Sequence, residues 1–168
     1  TRLQGNWSSD VCSSDLMTVY GKSLLDQELR RLTVEERPRI IKAIDEARSH
    51  GDISENAEYD AAKERQSLIE GRIGDIQNKL ATAEVVDPKT IKSDKIVFGA
   101  TVDLVDIETD EQARYQIVGV DEADVKLGKV SILSPIARAL IGKTKGDVIV
   151  VNSPKGDKEF EVVDFKFI

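Results

Sequence analysis

An apolar repeat near the middle of this chain of 168 residues constrains its fold more than any other feature. Intervals of three and four residues alternate along it, through Tyr59, Ala62, Gln66, Ile69, Ile73, Ile76, Leu80 and Ala83. This alternation keeps one stripe of a helix turned towards a partner, as in a coiled coil. It predicts a helix of about 29 residues, roughly 43 Å long at 1.5 Å per residue.

Two shorter apolar stripes upstream offer a partner for this helix. They comprise Leu25, Leu29 and Leu32 in the first, and Ile41, Ile44 and Arg48, flanked by Ile40 and Ala47, in the second. Residues 33–38 interrupt them. Pro38 has no backbone N–H and therefore fits best near the start of the second helical piece.

The connection between this second piece and the long helix is short, at residues 50–54. Gly51 suits the end of one helix, and either Asp52 or Ser54 suits the N-cap of the next. A short connection makes the two helices fold back on each other. We predict a long antiparallel coiled-coil hairpin with its turn at 50–54; on spacing alone, a purely structural or dimerising coiled coil stays possible.

The last part of the chain has the pattern of a small antiparallel sheet. Three pairs of apolar residues alternate with polar neighbours, namely Val102 and Leu104, Tyr115 and Ile117, and Val130 and Ile132. Such alternation is typical of half-buried strands. A further strand is expected at Val148–Val151, and a bulge near Val162 would reconcile the final strand, whose Phe165 and Phe167 are out of phase with Phe160.

One short helix is expected within this sheet region, at residues 134–142. Ser134 suits its N-cap, Pro135 its first turn and Gly142 its end. The chain therefore reads as α+β. We expect a domain of two antiparallel helices at 17–86, a linker at 87–94 and a sheet domain at 95–168.

Residues 1–16 do not fit either domain. They are rich in serine, lack a helical or strand period, and contain Cys12 and Trp7, the sole cysteine and tryptophan of the chain. A signal peptide would need a basic start and an apolar stretch, which are missing. We expect a non-native preamble similar to translated library-adapter sequence, with Met17 as the natural start.

Composition excludes several classes of function. The chain has 24 Lys and Arg against 31 Asp and Glu, a formal net charge of -7, which argues against independent binding to nucleic acid or to anionic lipid. The sequence has no apolar run near the ~20 residues that cross a bilayer, so we expect a cytoplasmic protein. One cysteine and one histidine exclude the usual Cys/His metal sites and an internal disulfide.

The predicted turn carries two carboxylates, Asp52 and Glu55. They could form a capping box as N-cap and N3 of the long helix. They also make the turn an acidic point, because the chain has no lysine or arginine between Arg48 and Lys63. Two solvated carboxylates cannot hold Mg²⁺ tightly, so a metal there would need a partner's ligands. His50 suits a helix C-terminus, and we assign it no catalytic role.

Residues 47–59, read as ARSHGDISENAEY, closely resemble the tip of the Gre family of bacterial transcript cleavage factors. The similarity continues through EGRI at 70–73, FGATV at 98–102 and SPIAR at 134–138. Membership implies an N-terminal coiled-coil hairpin followed by a small FKBP-like sheet-plus-helix domain. Ser54 is a departure, since some members carry lysine at that position of the tip.

The resemblance also implies a partner, RNA polymerase, and a reaction. The C-terminal domain would dock at the rim of the polymerase secondary channel, with Ser134, Pro135 and Ile136 at the contact, although these residues could simply begin a helix. The hairpin would reach the 3′ end of backtracked nascent RNA. Asp52 and Glu55 would help hold a second Mg²⁺ shared with the polymerase, whose own aspartates hold the first, and would orient the attacking water.

Under this interpretation the polymerase is the nuclease, and the chain is neither an enzyme nor the holder of a resident cofactor. Arg48 and Lys63, with Arg65 as a weaker candidate, would lie towards RNA; a solvated charged face is the alternative. A channel-binding regulator that inhibits polymerase without cleavage is a second hypothesis. A peptidyl-prolyl isomerase is a third, but it depends on the fold alone, which does not define function.

Overall fold

The computed structural model describes residues 15–51 and 56–168. The chain divides into two compact units. One is formed by Ser23–Thr82, and the other combines the residues up to Lys22 with Ala83–Ile168. Within the described ranges, every helix is too short or too polar to cross a membrane. Residues 1–14 lie outside these ranges, so the non-native preamble stays a prediction, as do the domain and linker boundaries.

The unit at 23–82 is the helical hairpin that the apolar repeat predicts. Helix α1 (Val19–Arg31) leads into a π-helical turn (Leu32–Glu36) and helix α2 (Arg37–Ser49), and helix α3 (Ala57–Thr82) forms the returning arm. The α3 repeat faces inward, with Ala62, Ile69, Ile73 and Ile76 buried and Tyr59, Gln66 and Leu80 half-buried. The predicted seam of α3 is confirmed.

The seam of the first arm lies one residue away from the predicted one. Ile40, Ile44 and Ala47 are buried, whereas Ile41 is 46% exposed and Arg48 is exposed. The predicted stripe is therefore confirmed at Ile44 and wrong at Ile41 and Arg48, whose places in the seam are taken by the flanking Ile40 and Ala47. Ile40, Ile44 and Ala47 are also spaced by four and three residues, so helical spacing alone does not distinguish the two stripes.

The interruption predicted at residues 33–38 is a π-helical turn rather than a break. The Thr33 hydroxyl donates to the carbonyl oxygens of Leu29 at 2.8 Å and Arg30 at 3.2 Å, and so bonds backbone acceptors of α1. Pro38 is in the first turn of α2, where its missing N–H costs little, as predicted. The two helical pieces form one continuous arm.

Charged pairs join the two arms of the hairpin along its length. The Arg72 guanidinium forms two 2.8 Å hydrogen bonds with the Glu28 carboxylate, and the Arg37 guanidinium forms two of 2.7 Å with Glu70. These contacts hold the pKa values of both carboxyls below their ordinary values. Two forked pairs at separate levels favour one register of α3 against the first arm.

The second unit contains a five-stranded sheet. Its strands are β3 (Thr101–Asp106), β4 (Gln112–Val118), β5 (Lys129–Ser131), β6 (Val148–Val151) and β7 (Lys158–Lys166), after β1 (Leu16–Thr18) and β2 (Glu84–Val86), which pair with each other in parallel. The sheet order is β5-β4-β3-β7-β6. All its neighbours are antiparallel except β4 and β5, which are parallel, contrary to the prediction. The connection at 119–128 is long enough to bring β5 back in the same direction, unlike a tight hairpin turn.

The predicted bulge is present in β7. Asp103 lies opposite Asp164 and Leu104 opposite Val162, so Val163 is the extra residue. The shift turns Val162 into the core while leaving Val163 46% exposed. A single inserted residue thereby reconciles the two phases of the strand, as the sequence predicts.

Helix α4 (Pro135–Leu140) covers one side of the sheet core. Its Ala137 and Leu140 are fully buried against a cluster that includes Phe98, Ile96 and Ile117. The Ser134 hydroxyl accepts the Ala137 N–H at 3.3 Å, which confirms the predicted cap. The α+β class predicted from the sequence is confirmed.

Residues 15–22 belong to the sheet unit, and a buried polar contact joins Thr18 to it. The Thr18 hydroxyl donates to the carboxylate of Glu122, whose side chain is 2% exposed. Lys129 Nζ is 3.6 Å from that carboxylate and 3.9 Å from the centre of the Tyr20 ring. The buried charge of Glu122 is therefore both paired and hydrogen-bonded, as burial requires.

Candidate functional site at the end of the hairpin

The first arm ends in a tight turn just before the acidic segment. The His50 N–H donates to the Ala47 carbonyl and the Gly51 N–H to the Arg48 carbonyl, both at 3.3 Å. Gly51 has φ +90°, in the left-handed region where glycine is favoured. Gly51 therefore terminates the helix, as its place in the sequence predicts.

The returning arm begins at Asn56, not at the residues predicted to cap it. Asn56 Oδ1 accepts the Tyr59 N–H at 3.1 Å, and its backbone carbonyl accepts the Asp60 N–H at 3.1 Å. These bonds make Asn56 the N-cap of α3. The residues of the predicted capping box, Asp52 and Glu55, and the alternative cap Ser54 lie outside the described residues. Asparagine is as good a cap as aspartate or serine and lies directly before the first helical residue.

Asp52 and Glu55, the predicted metal-binding carboxylates, lie outside the described residues. Their neighbours in the chain, Gly51 and Asn56, end one arm and begin the other. Each carboxylate is therefore within a four-residue segment anchored by a helix at either side. Carboxylate oxygens suit Mg²⁺, but two carboxylates fill only part of the octahedral set that this ion prefers.

Residues 15–51 and 56–168 contain no group of three or more His, Cys, Asp or Glu side chains that could hold a metal ion. Near the end of the hairpin, Glu58 Oε2 is 3.8 Å from His50 Nε2, and both side chains are mostly exposed. That contact gives each of them a partner across the turn.

The three predicted RNA-facing cations have different surroundings. The Arg48 guanidinium carbon lies 5.8 Å from the centre of the Tyr59 ring, a cation–π contact between the arms. Lys63 Nζ donates to Gln66 Oε1 at 3.1 Å on the same helix. Arg65 donates to the carboxylate of Glu36 at 3.2 Å. Arg48 and Lys63 are nearer the tip, whereas Arg65 has a structural partner of opposite charge further along the arm.

The predicted polymerase contact at residues 134–136 lies in the sheet unit. Ser134 Oγ donates to the Ser131 carbonyl at 2.6 Å and caps α4, so this residue has a structural role. Pro135 is exposed, and Ile136 packs partly against the core. Leu133 and Ile141 at the two ends of the segment are 37% and 38% exposed. The segment therefore offers an apolar surface as well as a helix start.

Asn56 is the residue that the sequence reasoning missed. Its Nδ2 donates to the Ala47 carbonyl at 2.6 Å, so one amide group contacts both arms. An asparagine directly before a helical repeat is a cap signal, and this signal could have identified it. The contact to Ala47 depends on the fold of the turn and has no local signature in the sequence.

The architecture is that of a helical hairpin arm attached to a small sheet unit. Residues 15–85 match the family described as "Transcription elongation factor, N-terminal", and residues 91–167 match "Transcription elongation factor, GreA/GreB, C-term". The chain belongs to the GreA/GreB family of transcription elongation factors. The family resemblance inferred from the tip motif is therefore confirmed.

Proteins named as GreA are similar in sequence to this chain along most of its length. Transcription elongation factor GreA of Phenylobacterium zucineum is 57% identical over 152 residues, which cover 90% of this chain and 97% of that protein. GreA of Mesorhizobium japonicum is 59% identical over 152 residues, with the same coverage of 90% and 97%. A solved structure of GreA factor homolog 1 from Thermus thermophilus is 30% identical, covers 89% of this chain and 97% of that chain, and has a TM-score of 0.41.

Proposed function

We propose that this elongation factor binds RNA polymerase, inserts the end of its hairpin through the secondary channel and stimulates cleavage of backtracked nascent RNA. The main observation that supports this proposal is the position of Asp52 and Glu55 in the sequence, between the end of α2 and the cap of α3. Family membership supplies the partner, and the long hairpin supplies the reach. Cleavage would rescue arrested complexes by creating a new RNA 3′ end.

In this proposal the two carboxylates complete a metal site rather than form one. Mg²⁺ held jointly by them and by polymerase carboxylates would neutralise charge at the scissile phosphate. The residues of this chain orient the attacking water and accept its hydrogen bonds. Because two carboxylates bind Mg²⁺ weakly on their own, the free protein holds no resident metal and cleaves no RNA.

The remaining proposed contacts divide between the two units. Arg48 and Lys63, with Arg65 as the weaker candidate, would attract the phosphates of the RNA near its 3′ end. Ser134, Pro135 and Ile136 would contact the rim of the polymerase channel. Their exposed proline and flanking apolar side chains suit a protein partner. The factor would act with polymerase in the cytoplasm.

The test is cleavage of RNA in purified backtracked elongation complexes. Wild-type protein should accelerate Mg²⁺-dependent shortening of the RNA. Asp52→Asn and Glu55→Gln should each reduce this acceleration on the order of 100-fold, because loss of either carboxylate removes a group that activates the attacking water. Glu64→Gln, an exposed neutralisation on the same arm, is the matched control and should leave it unchanged.

Full stimulation by the Asp52→Asn and Glu55→Gln variants would contradict the mechanism. The same assay separates the alternative function. A regulator that only blocks the channel would slow elongation without shortening the RNA. The presence of two acids in the short segment after Gly51 favours cleavage, because these are ligands that the reaction needs.

A further inference from the structure

We propose that Asn56 is a positioning residue for the reaction, because its amide joins the end of α2 to the start of α3 and so fixes the two ends of the segment that carries Asp52 and Glu55. This inference depends on the proposed function. It concerns a residue outside the metal-binding pair and outside the basic and polymerase-binding sets. Its geometry involves described residues only.

Both the nitrogen and the oxygen of the Asn56 side-chain amide form hydrogen bonds. Nδ2 donates to the Ala47 carbonyl at 2.6 Å, and Oδ1 accepts the Tyr59 N–H at 3.1 Å. The Ala47 carbonyl also accepts the His50 N–H at 3.3 Å. One side chain thus gives a carbonyl at the end of one helix a second, shorter hydrogen bond and pairs an N–H at the start of the next, which a helix N-terminus leaves without a partner in the helix.

The surroundings make this contact specific. Asn56 is half-buried, and the Ala47 side chain is 2% exposed in the hairpin seam. The other contacts at this end, Arg48 with Tyr59 and His50 with Glu58, depend on exposed Arg48, His50 and Glu58 side chains and contribute little individually. Among the described residues near the turn, the Asn56 amide is therefore the short, directional link between the two arms.

The chemistry requires asparagine. Aspartate would still accept the Tyr59 N–H, but it has no N–H for the Ala47 carbonyl and would place negative charge against it. Serine would keep the cap and lose the longer reach. These two substitutions therefore remove the link between the arms while retaining the acceptor for α3.

Loss of the link should affect catalysis more than binding. The segment between Ala47 and Asn56 would gain conformational freedom, and the two carboxylates would reach the productive geometry less often. A displacement of about 1 Å at a reacting group costs roughly 100-fold in rate. The docking residues 134–136 are in the other unit and keep their contacts.

The experiment compares Asn56→Asp and Asn56→Ser with the full-length wild-type protein in the backtracked-complex assay. Asn78→Asp, the same replacement at an exposed position of α3, is the matched control. Both Asn56 variants should lower the cleavage rate at saturating factor by at least about ten-fold. The factor concentration for half-maximal stimulation should stay within about two-fold, and the Mg²⁺ concentration for half-maximal rate should rise.

A separate readout uses the isolated protein. Amide hydrogen exchange of His50, whose N–H shares the Ala47 carbonyl, should accelerate in both variants and not in Asn78→Asp, while the far-UV circular dichroism stays that of wild type. Wild-type maximal rates in both variants would overturn the positioning role. Failure of the wild-type protein itself to stimulate cleavage would instead overturn the proposed function, so the two failures are distinguishable.

Discussion

At the scale of single residues, Glu122 is a buried carboxylate of the sheet unit that other residues hold in place. Its carboxylate receives the Thr18 hydroxyl, faces Lys129 Nζ at 3.6 Å and is 2% exposed. Gly21 lies against it, because a Cβ added at Gly21 would be 2.7 Å from Glu122 Oε2. The backbone N–H of Gly21 also donates to the Thr18 hydroxyl at 3.0 Å. The absence of a side chain at Gly21 is thus a packing requirement.

Gly21→Ala should destabilise the protein by roughly 1–3 kcal/mol, because the added methyl overpacks a carboxylate that Thr18 and Lys129 hold in place. Urea denaturation followed by circular dichroism measures the change. Gly74→Ala is the matched control: no atom lies within 4 Å of its added Cβ, and Ala in a helix interior is favoured over Gly by about 0.5–1 kcal/mol. Equal effects of the two substitutions would disprove the packing explanation.

At the scale of elements, the ion pairs between the arms make the hairpin sensitive to acid. Hydrogen bonds from Arg72 and Arg37 lower the pKa values of Glu28 and Glu70 in the folded state. A carboxyl whose folded pKa is lowered contributes stability that is complete above its unfolded value of about 4.3. That contribution disappears as the pH falls through the folded value.

The double variant Glu28→Gln plus Glu70→Gln should therefore be less stable than wild type at about pH 7 and should approach wild type at about pH 2.5. The urea midpoint of the 222 nm signal at the two pH values measures this convergence. The effect at pH 7 should be small, since both pairs are partly exposed. Glu46→Gln, with its exposed Lys42 partner on one helix, is the control. A constant difference at both pH values would contradict the assignment.

The elements also show what the sequence could predict. The regular alternation at 59–80 identified α3 and its buried face, because a long stripe admits one helical phase. In α2 the stripes that start at Ile40 and at Ile41 both include Ile44 and have similar spacing, so the pattern did not decide which of them is buried. The parallel pairing of β5 likewise depends on the path of residues 119–128, which alternation within a strand does not record.

Only part of the candidate site could be predicted from the sequence. The motif at 47–59 identified the acidic segment, and Gly51 ended α2 as predicted. The N-cap was misplaced, because Asp52, Ser54 and Asn56 are all good caps and local preference cannot choose among them. Asn56 also reaches the Ala47 carbonyl across the turn, a contact that local cap preference does not take into account.

At the scale of the whole molecule, the charge of the chain disfavours direct binding of free RNA, so its contact with RNA depends on binding the protein partner. The formal net charge is -7, and the positive residues of the hairpin are largely balanced by nearby acids such as Glu28, Glu36 and Glu70. Non-specific affinity for nucleic acid depends on uncompensated positive charge. In the proposed function, the factor therefore reaches RNA because it is docked on the polymerase, and not through its own affinity for RNA.

Free protein should accordingly leave the fluorescence anisotropy of a labelled single-stranded RNA unchanged at concentrations up to about 10 µM in physiological salt. The same RNA carried in a backtracked elongation complex should be shortened when the protein is added. A basic single-strand-binding protein is the positive control. Salt-dependent binding of free RNA at micromolar concentration would contradict the prediction.

The pairing of Thr18 with Glu122 also has a consequence for synthesis on the ribosome. The partners described across the hairpin are at most 44 residues apart in the chain, whereas these two are 104 apart. Contacts between distant residues form later, since a larger loop must close. Leu16 and Met17, which are buried in the folded protein and pair with Glu84 and Val85, therefore stay exposed to solvent until the sheet unit has been synthesised.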